Sequence, residues 1–128
     1  MKCLLYLGLF YFGTLLLAQS SDPLIQEWMD KAYTLEQTNP DSALLLYKMV
    51  AEKTKATDDQ LNLGKSLHYQ GIVFSDQVQY DSSTYYYEAA RVVYEQIPYL
   101  KGFAAIYTNL ANIEQFKSNY QKAIEYYQ

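Results

Sequence analysis

The stretch YDSSTYYYEAARVVYE, Tyr80 to Glu95, sets three tyrosines side by side, and whether one of them belongs to a packed helix face decides the fold. Two related stretches answer this: PDSALLLYKMVAEK from Pro40 and YQKAIEYYQ from Tyr120, so that the starts fall evenly at positions 40, 80 and 120. Self-similarity at a fixed period of roughly 20–50 residues is the signature of a stacked-repeat architecture. In each copy a small residue stands three positions on (Ala43, Ser83, Ala123) and a tyrosine four further on (Tyr47, Tyr87, Tyr127). Val50 and Ala90 follow after three more. Steps of three and four return to one face of an α-helix. Small residues there let a neighbouring helix come close, and the tyrosine rings fill the space beside them. Tyr87 is therefore expected in the core. Tyr86, matched by Leu46 and Tyr126, belongs to a half-buried stripe, and Tyr85, matched by Leu45 and Glu125, is expected in solvent.

Each of these helices is preceded by another. In LGKSLHYQGIVFSDQVQ the face is Leu67, Gly71 and Phe74; in FAAIYTNLANIEQFKSN, Tyr107 and Ala111 take the equivalent places with Leu110 beside them. In IQEWMDKAYTLEQTN the face is Trp28, Ala32 and Leu35, with the following turn one residue shorter. Asn39-Pro40-Asp41-Ser42 reads as a turn into a helix start, with Asp41 or Ser42 available as the cap. Ala56-Thr57-Asp58-Asp59 and Ile97-Pro98 mark breaks between helix pairs. The pattern predicts an all-α solenoid of about three helix-turn-helix repeats over residues 22–57, 58–97 and 98–128, the last incomplete.

These residues resemble the tetratricopeptide repeat. That family's pattern has a large residue, then Leu-Gly or Leu-Ala, then an aromatic in the first helix, and Tyr, Ala and Tyr/Phe in the second. Trp28, Leu67 and Tyr107 match the first slot, Ala32, Gly71 and Ala111 the small slot, and Leu35 and Phe74 the next. Tyr80 and Tyr120, then Ala43, Ser83 and Ala123, then Tyr47, Tyr87 and Tyr127 match the second helix. With Ala90 and Leu110 these residues make up the expected repeat core. Lys31 and Gln70 stand where Leu is usual, Glu114 in an aromatic slot and Pro40 in a tyrosine slot. The period of 40 also exceeds the usual length of about 34, and resembles the variant found in bacterial signalling proteins. The resemblance covers about residues 22–128 and implies a right-handed superhelix of antiparallel helix pairs.

Ahead of the repeats, MKCLLYLGLFYFGTLLLAQS has Lys2, then an uncharged apolar run from Cys3 to Leu17, then small and polar residues, the order of a secretory signal. The run falls short of the roughly 20 apolar residues of a spanning helix, and Gly8 and Gly13 interrupt it. Residues 1–18 therefore read as a signal peptide cleaved after Ala18, with an uncleaved anchor as the alternative, and residues 19–128 as an exported domain on the periplasmic or extracytoplasmic side. Cys3 precedes the apolar run, so the lipid-attachment pattern of bacterial lipoproteins is missing. Cleavage removes Cys3, the one cysteine, and takes the formal charge from −4 to −5, with nine basic residues against 14 acidic. A chain of that sign repels phosphate backbones, which argues against nucleic acid and for a protein or peptide partner. With 50% apolar residues, five glycines and three prolines in 128, the composition is that of an ordered domain.

Catalytic constellations are missing from the sequence. His68 is the single histidine, and without a cysteine or a second histidine it builds neither a zinc site of the usual kind nor a nucleophile–base pair. Asp58-Asp59, just ahead of an apolar-periodic helix, reads as a cap before it reads as a metal pair. No Gly-rich loop has phosphate-cradling spacing. The reading is thus of a non-enzyme with no metal or cofactor. A stack of helix pairs offers instead a concave surface lined by the first helix of each pair, suited to extended peptides or helices. The resemblance implies that Lys65, His68, Tyr69 and Ile72, with Thr108, Asn109, Asn112 and Gln115, face it; the same residues read equally as solvated helix faces. The family's best-known clamp holds a terminal carboxylate with Lys, Arg and Asn. Lys65 and Asn112 come nearest to it, and Thr108 stands where a lysine is expected.

The resemblance extends to the N-terminal extracytoplasmic region of bacterial regulators, where a signal-like segment and 40-residue repeats precede a membrane helix and a histidine kinase or DNA-binding output domain. The implied role is the sensory or interaction part of a signal-transduction protein. A stand-alone periplasmic adaptor is the alternative within the binding class, and a hydrolase or metal enzyme the alternative outside it. YQKAIEYYQ leaves Tyr126 and Tyr127 at its edge with no polar capping helix behind them. Further repeats past Gln128 or another molecule are expected to cover that edge, and otherwise the chain is expected to fray from Asn119 or self-associate.

Overall fold

The computed structural model describes residues 22–128; the expected signal segment, the expected cleavage after Ala18, and Cys3 lie outside the described residues. Among the described residues there are six α-helices: α1 (Pro23–Leu35), α2 (Pro40–Ala56), α3 (Gln60–Asp76), α4 (Tyr80–Glu95), α5 (Leu100–Phe116) and α6 (Tyr120–Tyr127). From α2 onward the helices start at Pro40, Gln60, Tyr80, Leu100 and Tyr120, an even spacing of half the sequence period. Turns of three or four residues leave consecutive helices antiparallel and side by side.

Local chemistry sets these limits. The Asp22 side chain accepts from the Leu24 amide at 2.9 Å, and Pro23 supplies the first helical residue, where its missing N–H costs nothing. At α2 the cap is Asn39, accepting from Ser42 N at 3.2 Å, and not Asp41 or Ser42. The reason is Pro40: its fixed φ suits the first helical position, so the cap falls one residue earlier and Asp41 joins the first turn, favourably for the helix dipole. Asp59 caps α3, accepting from Asn62 N at 3.1 Å.

Asp58, Val78 and Ser118 close α2, α3 and α5 with φ of 55°, 60° and 63°. The amide after each returns to the carbonyl five residues back (Thr54, Phe74, Glu114) at 2.8–3.0 Å, so carbonyls left over at the helix end are satisfied. At the equivalent point after α4 stands Pro98, which cannot take positive φ. There α4 ends one residue early and the turn lengthens to Gln96–Tyr99.

Packing is sequential: each helix lies against its neighbours in the chain, and α3 also touches α5. Ala32, Ala43, Tyr47 and Val73 form one core cluster; Tyr87, Ala90, Tyr94, Ile106, Leu110 and Ile113 form the other. Tyrosine against glycine recurs. A Cβ on Gly71 would lie 2.5 Å from the Tyr87 ring, so only glycine admits that ring, and the Ser83 hydroxyl donates to the Gly71 carbonyl at 2.6 Å. Of the three adjacent tyrosines, Tyr87 is 2% exposed, Tyr86 is half-buried and stacked on Phe74 at 5.3 Å, and Tyr85 is 69% exposed.

Several residues of the expected core lie outside it. Tyr107, Tyr120 and Tyr127 are exposed, at 36%, 62% and 54%. Their equivalents one period earlier are covered because a later helix lies on them: Tyr80 stacks on Phe116 at the end of α5. No described helix lies beyond α6 to do the same. Trp28, Leu67, Phe74 and Tyr80 are half-buried, whereas Gln70, in a slot where leucine is usual, is buried with its amide donating to the Ser66 carbonyl at 3.3 Å. Glu114, in the aromatic slot, is 3% exposed; its carboxylate accepts from Asn119 at 2.8 Å and pairs with Lys122 at 3.4 Å. Burial raises its pKa, but the Asn119 hydrogen bond and the Lys122 charge outweigh this and hold it below the usual carboxylate value.

Candidate functional site

The first helices of the pairs, α1, α3 and α5, line two grooves. The larger, of about 370 Å³, lies between α3 and α5. Lys65, His68, Tyr69 and Ile72 line it from α3, and Lys101, Gly102 and Ala105 from α5. Tyr94 and Tyr99 contribute from the α4–α5 corner, their rings edge to face at 5.1 Å. Two glycines put Tyr94 there. A Cβ on Gly64 would collide with its Cε1, and one on Gly102 would lie 2.7 Å from its Cε2, so the ring is wedged between the backbones of α3 and α5.

His68 is neutral in this setting. Burial pushes its pKa down to about 4. Its ring lies nearly parallel to that of Tyr69 at 6.0 Å and edge to face with Tyr87 at 5.6 Å. The Asn109 amide nitrogen lies 2.9 Å from Nε2; with that amide donating, Nε2 accepts and the proton resides on Nδ1. Asn109 is thereby committed to His68 and ties α5 to α3.

The smaller groove, of about 170 Å³, lies between α1 and α3. Asp30 and Tyr33 line it from α1, Asn62, Lys65 and Tyr69 from α3, and Tyr47 from α2. The rings of Tyr47 and Tyr69 stack at 5.4 Å, and the Tyr47 hydroxyl donates to Glu36 Oε1 at 2.5 Å. Burial raises the Glu36 pKa and also the phenol pKa of Tyr47 and Tyr69.

The eight residues expected on one concave surface do not all line one groove. Lys65, His68, Tyr69 and Ile72 line the α3–α5 groove, with Asn109 bonded to His68. Thr108 lies instead in a depression between α5 and α6 with Tyr107, Tyr126 and Tyr127, and its hydroxyl donates to the Ala104 carbonyl at 2.8 Å. Asn112 accepts from the Tyr127 hydroxyl at 2.6 Å, and Gln115 is exposed near the end of α5, apart from the groove. The split follows from α5 meeting α6 on one side and α3 on the other. Sequence reasoning misses Lys101, Tyr94 and Tyr99. Tyr94 stands seven residues after Tyr87, on the same helical face, a readable signal; Tyr99 ends a turn, Lys101 is the second residue of α5, and neither carries a periodic signal.

Among the described residues no group of three or more His, Cys, Asp or Glu is placed to hold a metal ion, and no helix is long and apolar enough to cross a membrane. Comparisons with protein-family models, with curated proteins and with solved structures gave no match.

Proposed function

We propose that the chain is an exported, non-catalytic scaffold of tetratricopeptide type, its helix pairs stacked as a right-handed solenoid, and that the side carrying α1, α3 and α5 binds a peptide segment or helix of another protein. The α3–α5 groove carries this reading: it is walled by aromatic rings fixed in place, and it presents lysines and no nucleophile–base pair. The signal-like order of residues 1–18 and the 40-residue period support a place as the N-terminal sensory or interaction part of a bacterial signal-transduction protein.

Panning displayed random dodecapeptides on the immobilised chain tests the binding role. Clones are expected above background on the wild type, with loss on Ala105→Arg, which sets a long charged side chain into the groove. Lys48→Glu, on an exposed position of α2, is expected to leave retention unchanged. An empty selection, or full retention by Ala105→Arg, would refute the reading.

A further inference from the structure

The polar groups of the α3–α5 groove specify the kind of peptide. The chain as a whole is acidic, with 14 Asp and Glu against ten Lys and Arg. Yet this groove is lined by two lysines, Lys65 and Lys101, and by no carboxylate. Neither ammonium forms an ion pair among the described residues; Asp30 shares the smaller groove with Lys65 but does not pair with it. A third group lacks a partner beside them. Tyr94 is 1% exposed, its ring is immobilised between Gly64 and Gly102, and its hydroxyl makes no hydrogen bond among the described residues. Among the described residues the one buried side-chain oxygen without a partner is Thr84 Oγ1, so the Tyr94 hydroxyl is open to the groove, where an entering acceptor can take its proton in a hydrogen bond.

Resting on the peptide-binding role above, we infer that the α3–α5 groove selects peptide segments bearing Asp or Glu side chains. The ligand carboxylate accepts hydrogen bonds from the Lys65 and Lys101 ammonium groups and from the Tyr94 hydroxyl. An adjacent apolar side chain of the peptide covers Ile72 and Ala105. Thr108 and Asn112 take no part, since both are engaged elsewhere. An extended phosphodiester would meet the same lysines, but the acidic remainder of the chain repels it, and a groove of about 370 Å³ admits one or two side chains.

Two synthetic pools of random dodecapeptides decide the matter, alike except that Asp and Glu in one are replaced by Asn and Gln in the other. The acidic pool is expected to bind the chain about tenfold more tightly at low salt, the preference shrinking as salt rises. Lys65→Gln with Lys101→Gln should abolish the preference. Tyr94→Phe keeps the wedged ring, so its melting temperature should match wild type while acidic peptides bind about fivefold more weakly. Equal binding of the two pools, an unchanged preference in the double lysine variant, or displacement by oligothymidylate would overturn this inference and leave the peptide-binding role standing. Retention of neither pool would overturn both.

Discussion

Tyr94 shows how tightly single residues are specified. Its ring touches backbone on two helices, so a methyl group added at Gly64 cannot push it aside without meeting Gly102. Alanine is the better helix former by about 1 kcal/mol, yet overpacking a core typically costs about 1–3 kcal/mol. The clash wins because the ring has nowhere to move. Gly64→Ala is expected to destabilise by about 1 kcal/mol in chemical denaturation, the overpacking cost less the gain in helix propensity. A stabilised variant would show the wedge to be loose. His68 makes a second residue-scale prediction. Its folded pKa, pushed down to about 4, lies below the ordinary value of about 6.5, so the unfolded chain takes up the proton first. The stability His68 contributes is complete above pH ~6.5 and is lost as pH falls toward ~4. Thermal melts of wild type and His68→Gln should therefore diverge at pH 7 and converge near pH 4.5.

Among the elements, the turns and the last helix are the exposed points. Val78 holds a φ of 60° with its side chain 67% exposed, a combination in which a β-branched residue suffers backbone strain and gains little packing. Val78→Gly removes the strain at the position where helices commonly end in glycine, and should stabilise by about 1 kcal/mol, read as a raised denaturation midpoint. The helix α6 has eight residues and one buried side chain, Ala123, so packing alone holds it weakly. Glu114 adds to this through Asn119 and Lys122, beside the Tyr127 hydroxyl on Asn112 and the packing of Tyr126. Because the Glu114 pKa is held below its usual value of 4.5, this contribution is present above that pH and disappears as acid protonates the folded carboxylate. Glu114→Ala should speed amide exchange across Gln121–Tyr127 while α1 to α4 keep theirs; uniform acceleration would place Glu114 in the global core instead.

At the scale of the whole molecule, much of the architecture could be read because it repeats. A helix face that recurs one period later is counted twice, which is why Tyr85, Tyr86 and Tyr87 could be told apart. The site was less legible. A groove depends on which helices become neighbours: Tyr99 enters it from a turn that Pro98 lengthens, where no period applies, and Lys101 from the first turn of α5. The last pair was legible in part: the open edge at Tyr127 was expected, whereas Tyr120 carries the same letter as Tyr80 without a later helix upon it. The sequential packing of the helices has a mechanical consequence. Among the described residues no strap joins distant parts of the chain, so under tension extension should proceed in steps, with about 140 Å released per 40-residue pair at roughly 3.5 Å per residue. Optical tweezers would record such steps, and one concerted rupture would reveal coupling across the stack. Since α3 and α5 belong to different pairs, the first step to part them would also open the groove they share, so a peptide of the proposed kind, once seated there, would be released at a defined force.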